Sequence, residues 1–156
     1  MFPTLESRAD ILKMLDELTE HRSAILARCA KLSDGQLRDP VYQGTWSLLQ
    51  NLAHLCWAEA YMLAWIKKRP QKLLEAEWPS EPPHDLSAIR KAFDEAHAAV
   101  IAFLKSNPES VLKEQCLYGR KAAQQTVGGV LFHLVEHEIH HRCFVLHKLG
   151  KLEART

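Results

Sequence analysis

Residues 126–150 read TVGGVLFHLVEHEIHHRCFVLHKLG, a stretch that carries five of the nine histidines of the chain. Thr126 can cap a helix at its start and Gly150 can end one. At ~100° per residue, His133, His137 and His141 share a face with Val130, His140 and Phe144. A helix bundle would place leucine or valine in the middle of such a stripe. Burying an imidazole there without a partner costs ~1–3 kcal/mol, so something must compensate.

Two histidines four residues apart on one helical face can ligate one metal ion through neutral ring nitrogens, which makes His137 and His141 the primary pair. The third ligand comes from WSLLQNLAHLCWAEAYMLAW, residues 46–65, where His54 looks inward with Ala58, Tyr61 and Trp65. A lone inward histidine is read as a hydrogen-bonded core residue, but three converging ones are better read as a divalent-metal site. With three protein ligands the coordination stays open for water or substrate, unlike a closed structural zinc site. Imidazole suits zinc and nickel, the first choices here, and also iron and copper. His133 is read as a supporting neighbour of the ligands and His140 as a flank residue. His147 lies two turns beyond His141, outside the site, and His21, His84 and His97 carry no spacing signal.

Working outward, the punctuation predicts four helices. The first spans about Leu5 to Leu32, with Ile11, Leu15, Leu18, Arg22 and Ile25 on one stripe. A loop holding Asp34, Gly35, Asp39, Pro40 and Gly44 follows. The second helix opens at Ser47 with Gln50 completing a capping box, and runs to about Lys68, where Arg69 and Pro70 mark its end. The proline-rich EWPSEPPHD, residues 77–85, connects it to a third helix capped by Asp85 and carrying Leu86, Ile89, Phe93, Ala96, Val100, Phe103 and Leu104. Asn107 and Pro108 stop that helix, and the fourth runs from Thr126 to Leu149. No strand-like alternation is read anywhere. The expected architecture is one all-α domain over residues 1–156, a four-helix bundle that is either up-down-up-down or has one long crossover.

Composition narrows the function. The chain is 47% hydrophobic with a net charge of +1, which gives no electrostatic footprint for nucleic acid or an anionic membrane. The start lacks a basic region followed by an apolar one, so a cytoplasmic protein is expected. No run is apolar enough for a membrane span. Cys29, Cys56, Cys116 and Cys143 form no CxxC pair and read as packing or idle thiols.

The string from His137 to His141 is also HExxH, in which the glutamate serves zinc proteases as general base. His147 even occupies the place of the third histidine of the longer HExxHxxGxxH pattern. The glycine of that pattern is replaced by Phe144, however, and on an unbroken helix His147 stands ~15 Å along the axis from His137. A protease is therefore disfavoured. Glu138 is read as pointing ~100° away from His137 toward a neighbouring helix or solvent, as a surface salt-bridging residue.

These residues resemble the DinB/YfiT superfamily of metal-binding four-helix bundles. The resemblance rests on Trp46-Ser47 opening the second helix, on NLAHL with His54 and the following Glu59, and on HLVEHEIHHR, residues 133–142, before Leu149-Gly150. It implies a three-histidine metal site at His54, His137 and His141, and a homodimer. A second apolar strip of Leu131, Val135, Leu146 and Leu149 would suit another helix or another subunit. The chain departs from the family pattern at Cys143-Phe144, where Gly-Gln is usual, and the aromatic ring makes the pocket more apolar.

Relatives of this kind include thiol S-transferases and a mycothiol-dependent isomerase. The leading expectation is a metal-dependent enzyme acting on a small molecule, with a low-molecular-weight thiol as co-substrate in an S-transfer. Metal-dependent hydrolysis, and a non-catalytic metal- or ligand-binding stress-response role, are the alternatives. No catalytic residue is assigned from sequence.

Overall fold

A computed structural model of the chain describes residues 5–67, 85–119 and 123–155. The end signal expected at Lys68 to Pro70, most of the proline-rich connection and His84 lie outside those residues. Helix α1 is Arg8–Cys29, capped by the Ser7 hydroxyl, which accepts from the Asp10 amide. A short α2, Asp34–Arg38, occupies the first part of the expected loop. Its own Ser33–Gln36 capping box, of the same form as the one at Ser47, starts it. The boxed Ser47 and Gln50 open α3, Leu48–Ile66, and Asp85 caps α4, Leu86–Ser106.

The connection after α4 corrects the strand-free reading. Beyond a 3-10 turn at Glu109–Lys113, β1 (Gln115–Tyr118) and β2 (Ala123–Thr126) pair antiparallel. Strands of four residues are too short for alternation to register in sequence. Helix α5, Val127–Glu153, also continues through Gly150 where a stop was expected. The reason is packing beyond that point: Leu152 is fully buried, and Glu153 accepts two hydrogen bonds from Arg28 of α1.

Two apolar clusters fix the directions of the helices. One joins Ile11, Leu15 and Leu18 early in α1 to the ends of α3 and α4 (Met62, Ile66, Val100, Leu104) and the start of α5 (Val130, Leu134). The other joins the end of α1 (Ile25, Cys29) to the starts of α3 and α4 (Leu48, Leu52, Ile89, Phe93) and the end of α5 (Val145, Leu149). Helices α1 and α5 therefore run one way, and α3 and α4 the other. Helix α3 packs against α4 and α5, and α1 packs against the same two. Parallel neighbours α3 and α4 exclude up-down-up-down order and fit the long-crossover alternative. The strip assigned to another helix or subunit is settled in part, because Leu131 and Leu149 are buried within this bundle and only Leu146 of the four is exposed.

Gly128 is required at the start of α5. A Cβ there would overlap the Leu5 carbonyl oxygen, so the glycine lets the N-terminal segment cross the first turn of the helix. Among the described residues, no helix is long and apolar enough to cross a membrane.

Candidate metal centre

His54 projects from the second turn of α3, and His137 and His141 from successive turns of α5. The three rings meet with centroids 4.6, 5.0 and 4.4 Å apart. One nitrogen of each lies within 4.8 Å of the others, and His54 Nε2 is 3.2 Å from His137 Nε2. A tetrahedral ion with bonds of about 2.0–2.1 Å holds its ligand nitrogens about 3.4 Å apart, so this spacing fits a shared ion.

Electrostatics point the same way. Burial, with help from the neighbouring imidazoles, pushes His137 down to about 3 and His141 down to about 4, and burial lowers His54 as well. Neutral rings keep a lone pair free at neutral pH. The Nδ1 atom of His141 is buried with no hydrogen-bond partner, a polar atom left unsatisfied by the protein. Three such donors facing one point can ligate a divalent cation.

The other histidines fall outside the cluster. His133 pairs with Glu136 at 3.2 Å, and its ring is 5.9 Å from that of His137. His140 is exposed, its ring perpendicular to His141. His147 accepts or donates a 2.8 Å bond with Tyr42 Oη and takes no part. Cys143, expected as a packing residue, is exposed, because it lies on the outer side of α5; Cys29, Cys56 and Cys116 are buried.

Glu138 corrects its surface reading. It is 3% exposed, and Arg22 Nε of α1 donates to its Oε1 at 2.8 Å and to Oε2 at 3.0 Å. The side chain turns to the bundle centre, where the helix α1 stripe supplies a cation. Arg22 Nη2 also lies 2.6 Å from Glu59 Oε2 on α3, and His97 Nδ1 on α4 lies 3.3 Å from Glu59 Oε1. Each of the four long helices thus gives one residue to a polar layer between the two apolar clusters. A glutamate held this way is committed to the fold, which removes the general base that the HExxH reading needs.

A model of the DinB superfamily matches residues 17–144. The chain belongs to the DinB superfamily. Solved DinB-like structures share its fold. One from Bacillus cereus ATCC 10987 is 19% identical, with a TM-score of 0.74 over 97% of this chain and 94% of that one. The DinB-like YjoA of Bacillus subtilis is 14% identical, with a TM-score of 0.70 over 90% of this chain and 92% of that one. YfiT of Bacillus subtilis, described as a probable metal-dependent hydrolase with an unusual four-helix bundle topology, is 19% identical, with a TM-score of 0.67 over 98% of this chain and 89% of that one. No curated protein matches.

For this DinB-superfamily chain, sequence reasoning missed the polar layer. Its signal was present: Arg22 stands in the core stripe of α1 between Leu18 and Ile25, and a buried arginine demands buried carboxylates on facing helices. His97 had no such signal, since its partners Glu59 and Thr19 are distant in sequence.

Proposed function

We propose that His54, His137 and His141 hold a divalent metal ion, zinc or nickel first and iron next, and that the protein is a metal-dependent enzyme acting on a small molecule. The observation that carries the reading is the convergence of three imidazoles on one point, with the Nδ1 atom of His141 buried and unmatched. A divalent ion at this place would supply Lewis acidity, lowering the pKa of a water or thiol or polarising an electrophile.

The chain's own residues define the rest. The half-buried imidazoles are held uncharged and available as donors. Trp46 packs beside His54 with ring centroids 5.0 Å apart and planes tilted by 58°. His133, oriented through Nδ1 by Glu136, lies one turn before His137 with ring centroids 5.9 Å apart and is assigned to proton transfer. Glu138 is not assigned to it, because Arg22 occupies its carboxylate.

Hydrolysis is the reaction favoured, supported by the fold shared with YfiT and the description that protein carries. Thiol S-transfer is the competing chemistry within the same site, and a homodimer acting in the cytoplasm is the setting proposed for either. The test is to incubate metal-loaded protein with ester and amide substrates, and in parallel with bacillithiol, glutathione or mycothiol plus a model electrophile. Turnover of the first set that is abolished by His54→Ala supports hydrolysis, and thiol consumption lost in the same variant supports S-transfer. Turnover of neither set by a metal-replete protein contradicts the enzyme reading.

A further inference from the structure

The loop before α3 is built to hold Trp46 at the rim of the histidine cluster. Lys148 of α5 donates through Nζ to the Pro40 carbonyl at 2.6 Å and to Thr45 Oγ1 at 2.8 Å. The Thr45 hydroxyl in turn lies 2.9 Å from both the Pro40 and Tyr42 carbonyls. Val41 within this loop sits at φ 66°, a conformation a β-branched residue adopts only where its surroundings impose it. Asp39 Oδ1 accepts from the Val41 amide at 2.6 Å and pins it there.

The loop that is fixed so firmly leaves the indole half in water. Trp46 is 48% exposed, and its ring lies nearly parallel to His141 with centroids 6.5 Å apart. One turn along α5, Phe144 is 50% exposed, with its ring 6.3 Å from His141 and 5.2 Å from His140. Two large rings that contact the same imidazole remain uncovered, next to the place where a substrate would react. Their faces are flat and apolar, a match for a flat ring that stacks on them.

We propose that Trp46 and Phe144 form a subsite for a planar aryl or heteroaryl group of the substrate, whose reacting end lies at His54, His137 and His141. This rests on the metal reading above, and assigns the substrate class that the metal centre alone leaves open.

The probes are two hydroxamates that share a metal-binding head, acetohydroxamate and benzohydroxamate, titrated calorimetrically into nickel- or zinc-loaded protein. Benzohydroxamate is expected to bind roughly tenfold more tightly, in keeping with aromatic contacts at two rings. Phe144→Ala should remove most of that preference and leave acetohydroxamate affinity within about twofold of wild type, and Trp46→Ala should lower the ratio of the two affinities. Both positions are half-exposed, and circular dichroism checks that the variants keep their helix content. Equal affinities in the wild type, or equal losses of both ligands in the variants, overturn the subsite while leaving the metal reading intact. Binding of neither hydroxamate overturns both.

Discussion

Arg22 of α1 holds Glu138 of α5, the residue that follows His137, through Nε at 2.8 Å. The same guanidinium reaches Glu59 of α3, so one arginine ties together the two helices that carry the three imidazoles. It also stacks over Phe93 of α4, with 4.7 Å to the ring centroid. The glutamate of the HExxH string therefore serves the inside of the bundle while its neighbouring histidines serve the site.

Removing that carboxylate should cost stability. Glu138→Ala leaves a buried guanidinium short of one partner, and breaking a buried pair in this way costs about 3–5 kcal/mol. Urea denaturation is expected to show a loss of that order. The double variant Arg22→Met, Glu138→Leu should lose much less than the sum of the single variants, because no charge is then left unpaired. Additive losses would show that the pair is not coupled.

Acid should destabilise the metal-free protein through the histidine cluster. His137 and His141 are held at about 3 and about 4, below the ordinary value of 6.5, so between these values the unfolded chain binds more protons than the folded one. Their contribution to stability is complete above the ordinary value and is lost as pH falls through that window. Thermal melts in the presence of a chelator should show a falling Tm below about pH 6.5, and His137→Leu should flatten the fall. An unchanged pH dependence in that variant would count against neutral burial.

Gly128 should not tolerate a side chain. Gly128→Ala forces the Leu5 carbonyl away from α5 and disturbs the packing of the N-terminal segment, with an expected loss of about 1–3 kcal/mol in the same denaturation assay. Gly150→Ala meets nothing within 4 Å and sits inside the helix, so it should be neutral or stabilising. The opposite ranking would contradict the close approach at Gly128.

The four long helices were legible because their apolar stripes and caps are local signals: Ser47 with Gln50, Asp85 and Thr126 all cap as their spacing suggests. The three-histidine cluster was legible for the same reason on α5, where His137 and His141 are one turn apart, and His54 followed from its inward face. The hairpin and α2 were not, since four- and five-residue elements carry too few side chains to show a period, although Ser33 and Gln36 repeat a pattern recognised at Ser47. Gly150 misled because a glycine ends a helix only when the chain turns left-handed there, and Leu152 and Glu153 make contacts that keep it helical. The chain directions were hidden as well. Only the packing of α3 against α4 from the same end distinguishes the two bundle orders.

The central claim is a divalent ion held by His54, His137 and His141, and elemental analysis of protein purified without an affinity tag tests it most directly. The wild type is expected to carry one divalent ion per chain. His54→Ala, His137→Ala and His141→Ala should each lose it, while His140→Ala and His147→Ala retain it. A wild-type protein that binds no divalent ion, or ligand variants that keep the full complement, would contradict the account.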